Sequence, residues 1–336
     1  MQIVENYLKT RYKTSSASQV DQNILKHFMS MWLQMQTTRK ANEKNFLTKK
    51  AAQLFAIVSL IDFPTRWPTF FNDLMVTSLW SIGNADFYLK VLLAIDSEIV
   101  DREIPRTVEE SNLITFYKDS IRERCVTDLV ESWYVLLKEH TNKNAEITCQ
   151  ALEVISVYIS WIDINLVANS RFVEFFLYAM GQVDLRETAC TCLEEITNKR
   201  MEIRAKLKLI DYLWTDVIEK CAIALEQQIN LSNDEQDNCD YLLKFGKLLN
   251  AIGNNLYDGW QKTHKKEPDV GVLLFKCIET KMPYVLRILN HSDDDISESV
   301  SEFCMHYISC LKINKIQTRE QQTNIEVGLE ISTQIE

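Results

Sequence analysis

Two seven-residue segments, 41 residues apart, share one pattern: Cys149-Gln150-Ala151-Leu152-Glu153-Val154-Ile155 and Cys190-Thr191-Cys192-Leu193-Glu194-Glu195-Ile196. Both segments place a small residue, a leucine and an isoleucine at intervals of three, and Ala51-x-x-Leu54-x-x-Ile57 follows the same template. Such intervals return a side chain to one face of an α-helix. The small residue lets a neighbouring helix approach closely, while leucine and isoleucine fill the seam. The template therefore predicts helices packed side by side.

The 41-residue offset lies within the range of about 40–47 residues occupied by HEAT and armadillo helix pairs. A single pair cannot bury its own apolar face, so such pairs stack into a curved array. The sequence predicts an all-α fold: a right-handed HEAT-repeat (armadillo-like) solenoid of antiparallel helix pairs. The apolar spacing predicts helices near residues 18–37, 43–61, 66–80, 84–103, 108–139, 144–161, 168–180, 184–198, 203–229, 236–262, 269–290 and 294–313.

Composition supports helices over sheets. Apolar residues make up 46% of the 336 residues and charged residues 25%, which is enough material for a buried core. Only 7 glycines and 5 prolines are present, whereas sheet-rich folds need many turn residues. The composition therefore indicates long helices joined by short connections.

The chain is acidic, with a formal net charge of -10. Because phosphate attraction requires a basic surface, an acidic chain is a poor general binder of nucleic acid. Any contact with RNA must come from a local basic stripe or depend on a second protein.

The cysteines and the N-terminus indicate a soluble intracellular protein. None of the nine cysteines forms a Cys-x-x-Cys pair, and most lie among apolar neighbours, which is typical of reduced, buried thiols. The N-terminus lacks a secretory signal. The longest nearly apolar stretch, Ala51–Ile61, is too short to span a bilayer, so we expect no membrane insertion.

Patterns that carry catalysis are absent from the sequence. It contains no phosphate-binding glycine loop, no His-Glu-x-x-His and no Gly-x-Ser-x-Gly. His291 precedes Asp293-Asp294-Asp295, but a calcium loop counted from Asp293 would need glycine where Glu298 stands. Helix capping explains the aspartates better. We expect no enzyme activity, no cofactor and no metal site.

Charged side chains on the predicted helix 108–139 have two interpretations. Lys118 and Arg122 are one turn apart on a common face, and Arg124 follows them. Asp96, Glu98 and Asp101 form an acidic cluster upstream. Solvated, salt-bridged faces are the simpler interpretation, and contacts with an anionic partner are the alternative.

The stretch Asp62-Phe63-Pro64-Thr65-Arg66-Trp67-Pro68-Thr69-Phe70-Phe71 resembles the signature of the exportin domain in the importin-β superfamily. Proline suits a first helical turn because its missing N–H costs nothing there. The tryptophan can then join one repeat to the next, so we expect Trp67, like Trp161, to be buried and structural.

Further segments narrow the resemblance to the exportin-t (tRNA exportin) family. In one register from about residue 20 to 325, the similar segments are Ala94–Arg102, Arg122–Val126, Leu129–Tyr134, Glu146–Val154, Ser160–Asp163, Leu185–Cys190 and His291–Ser297. The resemblance implies a nuclear export receptor built of HEAT repeats. Such receptors bind tRNA together with GTP-loaded Ran, pass the nuclear pore, and release the cargo when Ran hydrolyses GTP.

The resemblance also implies partners and places. We expect a monomer that shuttles between nucleus and cytoplasm, contacts nuclear pore proteins, and relies on Ran to carry GTP. In this family the inner helices meet the cargo, so the residues predicted to contact tRNA phosphates are Arg102, Arg106, Lys118, Arg122 and Arg124. The residues predicted to contact Ran are Asp96, Glu98 and Asp101.

The domain prediction is a single HEAT-repeat array over 1–336, with early repeats to about residue 60 and exportin-domain repeats over 62–336. Family members are far longer, so we expect the array to be truncated at both ends, lacking the first repeats and the C-terminal arch. The alternative function is a HEAT-repeat scaffold, or a carrier of protein cargo, without RNA binding.

Overall fold

The computed structural model describes residues 2–13, 18–37, 45–78, 81–100, 106–214 and 236–315. The chain divides into two compact units, Met1–Glu195 (unit 1) and Ile196–Glu336 (unit 2). Helices make up most of the described residues, and no β-strand occurs within these ranges. The predicted all-α class is therefore confirmed, while the single continuous array stays a prediction.

Unit 1 begins with two short helical segments and continues with longer helices. A π-helical turn at Leu8–Tyr12 directly follows the first helix, and a 3-10 turn at Ile164–Leu166 precedes α9. The α-helices are α1 (Gln2–Tyr7), α2 (Gln19–Thr37), α3 (Asn45–Asp62), α4 (Phe70–Ser78), α5 (Ile82–Val100), α6 (Val108–Arg124), α7 (Val126–His140), α8 (Ala145–Ile159), α9 (Ser170–Met180) and α10 (Arg186–Asn198), whose last three residues belong to unit 2.

The helices that carry the repeated template lie beside one another. Helix α5 packs against both α3 and α8, and α8 packs against α7. Polar side chains tie the row together: Tyr158 of α8 donates to the Leu92 carbonyl of α5 at 3.1 Å, and the Cys192 thiol of α10 donates to the Leu152 carbonyl of α8 at 3.2 Å. This row forms the main core of unit 1.

Most template positions are buried as predicted. Leu152, Ile155, Leu193 and Ile196 are each 0% exposed, and Ala51 is nearly so. Two positions at the margin of the seam, Leu54 and Cys149, are only half-buried.

The predicted continuous helix over 108–139 is wrong. Helix α6 ends at Arg124, Cys125 leaves helical geometry with φ -144° and ψ -3°, and α7 begins at Val126. At 3.6 residues per turn, the buried residues Tyr117 and Trp133 would lie about 160° apart in one straight helix. The break at Cys125 turns both faces towards the core.

The Asp62–Phe71 segment is structural, as predicted. Trp67 is buried, donates its indole N–H to Asp73 Oδ2 at 2.8 Å, and meets the ring of Phe70 edge-on at 5.2 Å. Asp62 is fully buried and accepts a hydrogen bond from the Tyr12 hydroxyl at 2.7 Å. The segment thus fastens the first helices to α3 and α4.

Unit 2 is built around a 28-residue helix. Its helices are one described over 203–214 (α11), α12 (Gln236–Thr263), α13 (Pro268–Leu289), α14 (Asp294–Glu298) and one described over 301–315 (α15). The part of the predicted helix 203–229 after residue 214 lies outside the described residues. Helix α12 packs against α13 and α14. Glu302 of α15 accepts hydrogen bonds from Asn250 and Asn254 of α12 at 3.3 and 2.6 Å.

The predicted helix 294–313 is also interrupted, because α14 ends at Glu298 before α15 starts. Asp293 caps α14 as predicted, its carboxylate accepting from the backbone N–H groups of Asp295 and Ile296 at 3.0 and 3.2 Å. In the described part of the chain no group of three metal-ligating side chains comes together. No described helix combines the length and apolarity needed to cross a membrane.

Candidate nucleic-acid interface

Helix α6, which carries most of the predicted RNA contacts, lies against the carboxyl-terminal ends of neighbouring helices. Its buried Tyr117 shares a 2.5 Å hydrogen bond with Ser59 near the end of α3. Its Arg122 donates from Nε to the carbonyl of Trp161, just beyond α8, at 2.9 Å. These contacts hold α6 at one end of the helix row in unit 1.

Two of the predicted cations share a ring. The Lys118 ammonium and the Arg122 guanidinium each lie 5.7 Å from the centre of the Trp161 ring, within the range of a cation–π contact. Arg122 also pairs with Asp119 at 2.5 Å. Because carbonyl groups at a helix end carry partial negative charge, a cation there stabilises the end of α8. Lys118 and Arg122 therefore have structural partners already.

Arg106 has a comparable role at the end of α5. Its guanidinium donates to the carbonyls of Glu98 and Ile99 at 2.8 and 3.1 Å. The last carbonyls of a helix lack partners within the helix, and arginine satisfies them well. The guanidinium of Arg106 is thus directed at α5, and Glu98 takes part through its backbone.

Asp96 lies inside the molecule at the α5–α6 contact. It is 9% exposed, and its Oδ1 and the indole N–H of Trp161 are both buried without a hydrogen bond of ordinary geometry. Burial raises the pKa of Asp96 to about 6, while Trp161 and the Lys118 ammonium favour the ionised carboxylate and Glu195 opposes it. In this arrangement the carboxylate faces the core, and its contact with Ran stays a prediction.

Arg124 is exposed, as Arg122 is, but in the described part of the chain it has no structural partner like that of Arg122. It ends α6, and within the described residues it makes no ion pair. Arg102 and Asp101, also predicted as contacts, lie outside the described residues. Of the four predicted RNA contacts that are described, Arg106, Lys118 and Arg122 contact other parts of the protein, and the binding of tRNA by any of the five stays a prediction. Charge reversal at Arg122 would disturb the α6–α8 contact as well as any partner surface, whereas Arg124 offers a cleaner test.

Sequence reasoning identified Trp161 as a buried residue but did not show that it organises the cations around it. Its backbone carbonyl accepts from Arg122, its ring lies beneath two cations, and that ring packs at a tilt of 44° against Tyr158, with the ring centres 4.9 Å apart. The sequence contains one signal for this arrangement: Trp161 lies close to a predicted helix end, and Lys118 and Arg122 are one turn apart on another helix.

We expect Asp96→Asn to raise stability at neutral pH. A carboxyl group with a higher pKa in the folded than in the unfolded chain weakens the folded state when it ionises, so wild-type stability should fall between about pH 4 and pH 6. The variant should be more stable by up to about 3 kcal/mol at about pH 7.5, and the difference should vanish near pH 4. Urea unfolding at several pH values measures this difference. The exposed Asp128→Asn control should show no comparable gain, and an equal gain there would contradict the assignment.

Comparison with known proteins places these elements in a family context. Residues 44–193 match the model of the Exportin 1-like protein family. Exportin-T from Homo sapiens is 38% identical over 326 residues, covering 97% of this chain and 33% of that protein. Exportin-T from Danio rerio is 37% identical with the same coverage, and Exportin-T from Dictyostelium discoideum is 27% identical over 98% of this chain and 29% of that protein. The chain thus spans about one third of the length of these curated relatives.

Proposed function

The chain belongs to the Exportin-T family, and on that premise we propose that it acts in a nuclear export receptor for tRNA. The observation that carries the proposal is similarity along nearly the whole chain, across both units. The proposed role is transport rather than catalysis: the chain binds tRNA cooperatively with Ran-GTP in the nucleus and releases it in the cytoplasm.

Cooperation with Ran also suits the charge of the chain. At a net charge of -10, the chain repels a polyanion at long range, and only a local cationic surface can offset this. A second protein that contributes part of the RNA-binding surface reduces this electrostatic repulsion. Because linkage is reciprocal, tRNA then strengthens the binding of Ran-GTP by the same factor. GTP enters with Ran, and the chain itself needs no cofactor.

The remaining parts of the proposal concern traffic. We place the receptor in both nucleus and cytoplasm, as a monomer that passes through the pore by contact with nuclear pore proteins. Folded tRNA is recognised by its shape and its backbone, as is usual for structured RNA.

Retention of tRNA with and without GTP-locked Ran tests the proposal. Three proteins are immobilised: this chain, human Exportin-T, and human Exportin-T in which the matching third is replaced by this chain. We expect the chimera to retain tRNA over fragments of ribosomal RNA, and to do so more strongly with Ran-GTP than with Ran-GDP.

The chimera decides between the two function classes. Loss of Ran-dependent retention in a folded chimera would contradict the receptor proposal. Indifference to both RNA and Ran, with retention of a protein partner, would favour the HEAT scaffold instead.

A further inference from the structure

The basic residues of unit 2 are concentrated where three helices meet. Five of the ten residues 199–208 are Lys or Arg and one is acidic, in a chain whose net charge is -10. Three more lysines lie within residues 262–266, at the end of α12. No other stretch of ten residues in the sequence carries as many cations as 199–208.

Contacts within unit 2 bring these two segments together. Arg204 of α11 pairs with Glu267, between α12 and α13, at 2.5 Å. Lys206 donates to Asn255 of α12 at 2.5 Å, and repulsion from Lys262 is one of the causes that lower its pKa, after burial. The cations from both segments therefore share one surface.

Carboxylates offset part of this positive charge, since both Arg204 and Lys208 attract Glu202 and, after its backbone hydrogen bonds, help to lower its pKa. Glu202 accepts from the backbone N–H groups of Arg204 and Ala205 at 3.0 and 2.9 Å, which caps the start of α11. Glu267 pairs with Arg204, and attraction by Asp258 acts on Lys206. Within the described part of unit 2, no ion pair involves the exposed residues Arg200, Lys208, Lys262, Lys265 and Lys266, which we name the basic cluster.

The backbone beneath the cluster is closely packed. A Cβ on Gly271 would lie 2.7 Å from the Cα of His264, so the first turn of α13 sits directly against the Lys265–Lys266 loop. The ring of His264 stacks on Trp260 at 4.3 Å and 12°. About one helical turn before His264, Gly259 of α12 lies against Ile203 and Leu274. The loop thus presents its lysines from a fixed position, which limits the entropy lost on binding.

We infer that the basic cluster is an RNA-binding surface that contacts phosphates of the RNA backbone. Its cations come from two chain segments at neighbouring helix ends. Cations distributed in this way match the successive phosphates of an RNA backbone better than a single small anion. Exposed Tyr212, one turn beyond Lys208 on α11, offers a ring for stacking on a base or ribose. The inference rests on the proposed function for its ligand and adds a site outside α6.

The test is direct binding of labelled tRNA to the whole chain without Ran, across a salt series starting at about 50 mM. The variant is Arg200→Glu with Lys265→Glu and Lys266→Glu, which leaves the Arg204 and Lys206 contacts intact. We expect at least tenfold weaker binding at about 0.1 M salt and a salt slope reduced by about 2, since each phosphate contact contributes about 0.7–0.9.

The matched control changes three exposed lysines elsewhere, Lys138, Lys143 and Lys247, to glutamate, with the same effect on net charge. The control should bind tRNA within a few-fold of the wild-type chain. Equal loss in both variants would indicate a general charge effect and overturn the inference, as would no loss in the cluster variant. Absence of wild-type binding at about 50 mM salt would overturn it as well.

A parallel series with polyglutamate separates RNA from an acidic protein partner. If the cluster variant lost binding to polyglutamate while keeping binding to tRNA, the surface would belong to a protein partner and the inference would fail. Ran is absent from this assay, so its outcome is independent of the Ran-dependent retention that tests the proposed function. Circular dichroism melting confirms that both variants remain folded.

Discussion

Trp161→Ala is expected to lower the free energy of unfolding of unit 1 by about 3–5 kcal/mol, as truncation of a buried tryptophan usually does. The side chain is 7% exposed, packs at a tilt against Tyr158, and lies beneath Lys118 and Arg122. Its loss leaves a cavity and removes the ring that both cations contact. Urea unfolding followed by circular dichroism measures the effect.

Trp161→Phe is the control for this prediction. Phenylalanine keeps an aromatic ring against Tyr158 and loses the indole N–H that faces Asp96, so we expect a smaller cost, on the order of 1–2 kcal/mol. If the Trp161→Ala variant were as stable as the wild type but lost partner binding, Trp161 would be a binding residue and not a structural one.

The sequence was sufficient to predict the helices but not all of their ends. Apolar spacing defines a helix over many residues, and the template positions Leu152 and Leu193 are buried as expected. The break at Cys125 was missed because spacing stays regular on both sides and only its phase changes. Comparing the faces of Tyr117 and Trp133 would have revealed it, since these two residues cannot face one core along a straight helix.

The candidate site was harder to predict, since the availability of a charge depends on contacts far along the chain. Lys118 and Arg122 were visible as a pair one turn apart, but their partner Trp161 lies about 40 residues later. The Arg106 guanidinium turns back towards α5 because the last carbonyls of that helix have no partners within the helix and accept its hydrogen bonds. The sequence alone shows that cations are dense over 199–208. Contacts made far along the chain, Arg204–Glu267 and Lys206–Asn255, show that the lysines of 262–266 lie beside them.

Substitution of glycine by alanine in α12 is expected to change the stability of unit 2 strongly at Gly253, and the same substitution at Gly259 serves as the control. Gly253 lies where α12 crosses Phe303 of α15, and a Cβ there would overlap the phenyl ring. Phe303 is 1% exposed, and its backbone N–H donates to Asn250 at 3.0 Å, so the ring has little room to move. Gly253→Ala should lower the free energy of unfolding of unit 2 by about 1–3 kcal/mol through overpacking.

Gly259→Ala, in the same helix, should have the opposite sign. A Cβ at Gly259 would lie 3.7 Å from Leu274 and 3.8 Å from Ile203, which are ordinary van der Waals distances. Alanine is favoured over glycine in a helix interior by about 1 kcal/mol, so this variant should be more stable than the wild type by up to that amount. Denaturant unfolding of both variants under one condition tests the pair. Because the substitution and the helix are the same, helix propensity acts equally in both, and any difference between them measures the contact with Phe303. A gain in stability at Gly253 would mean that α12 and α15 do not meet there.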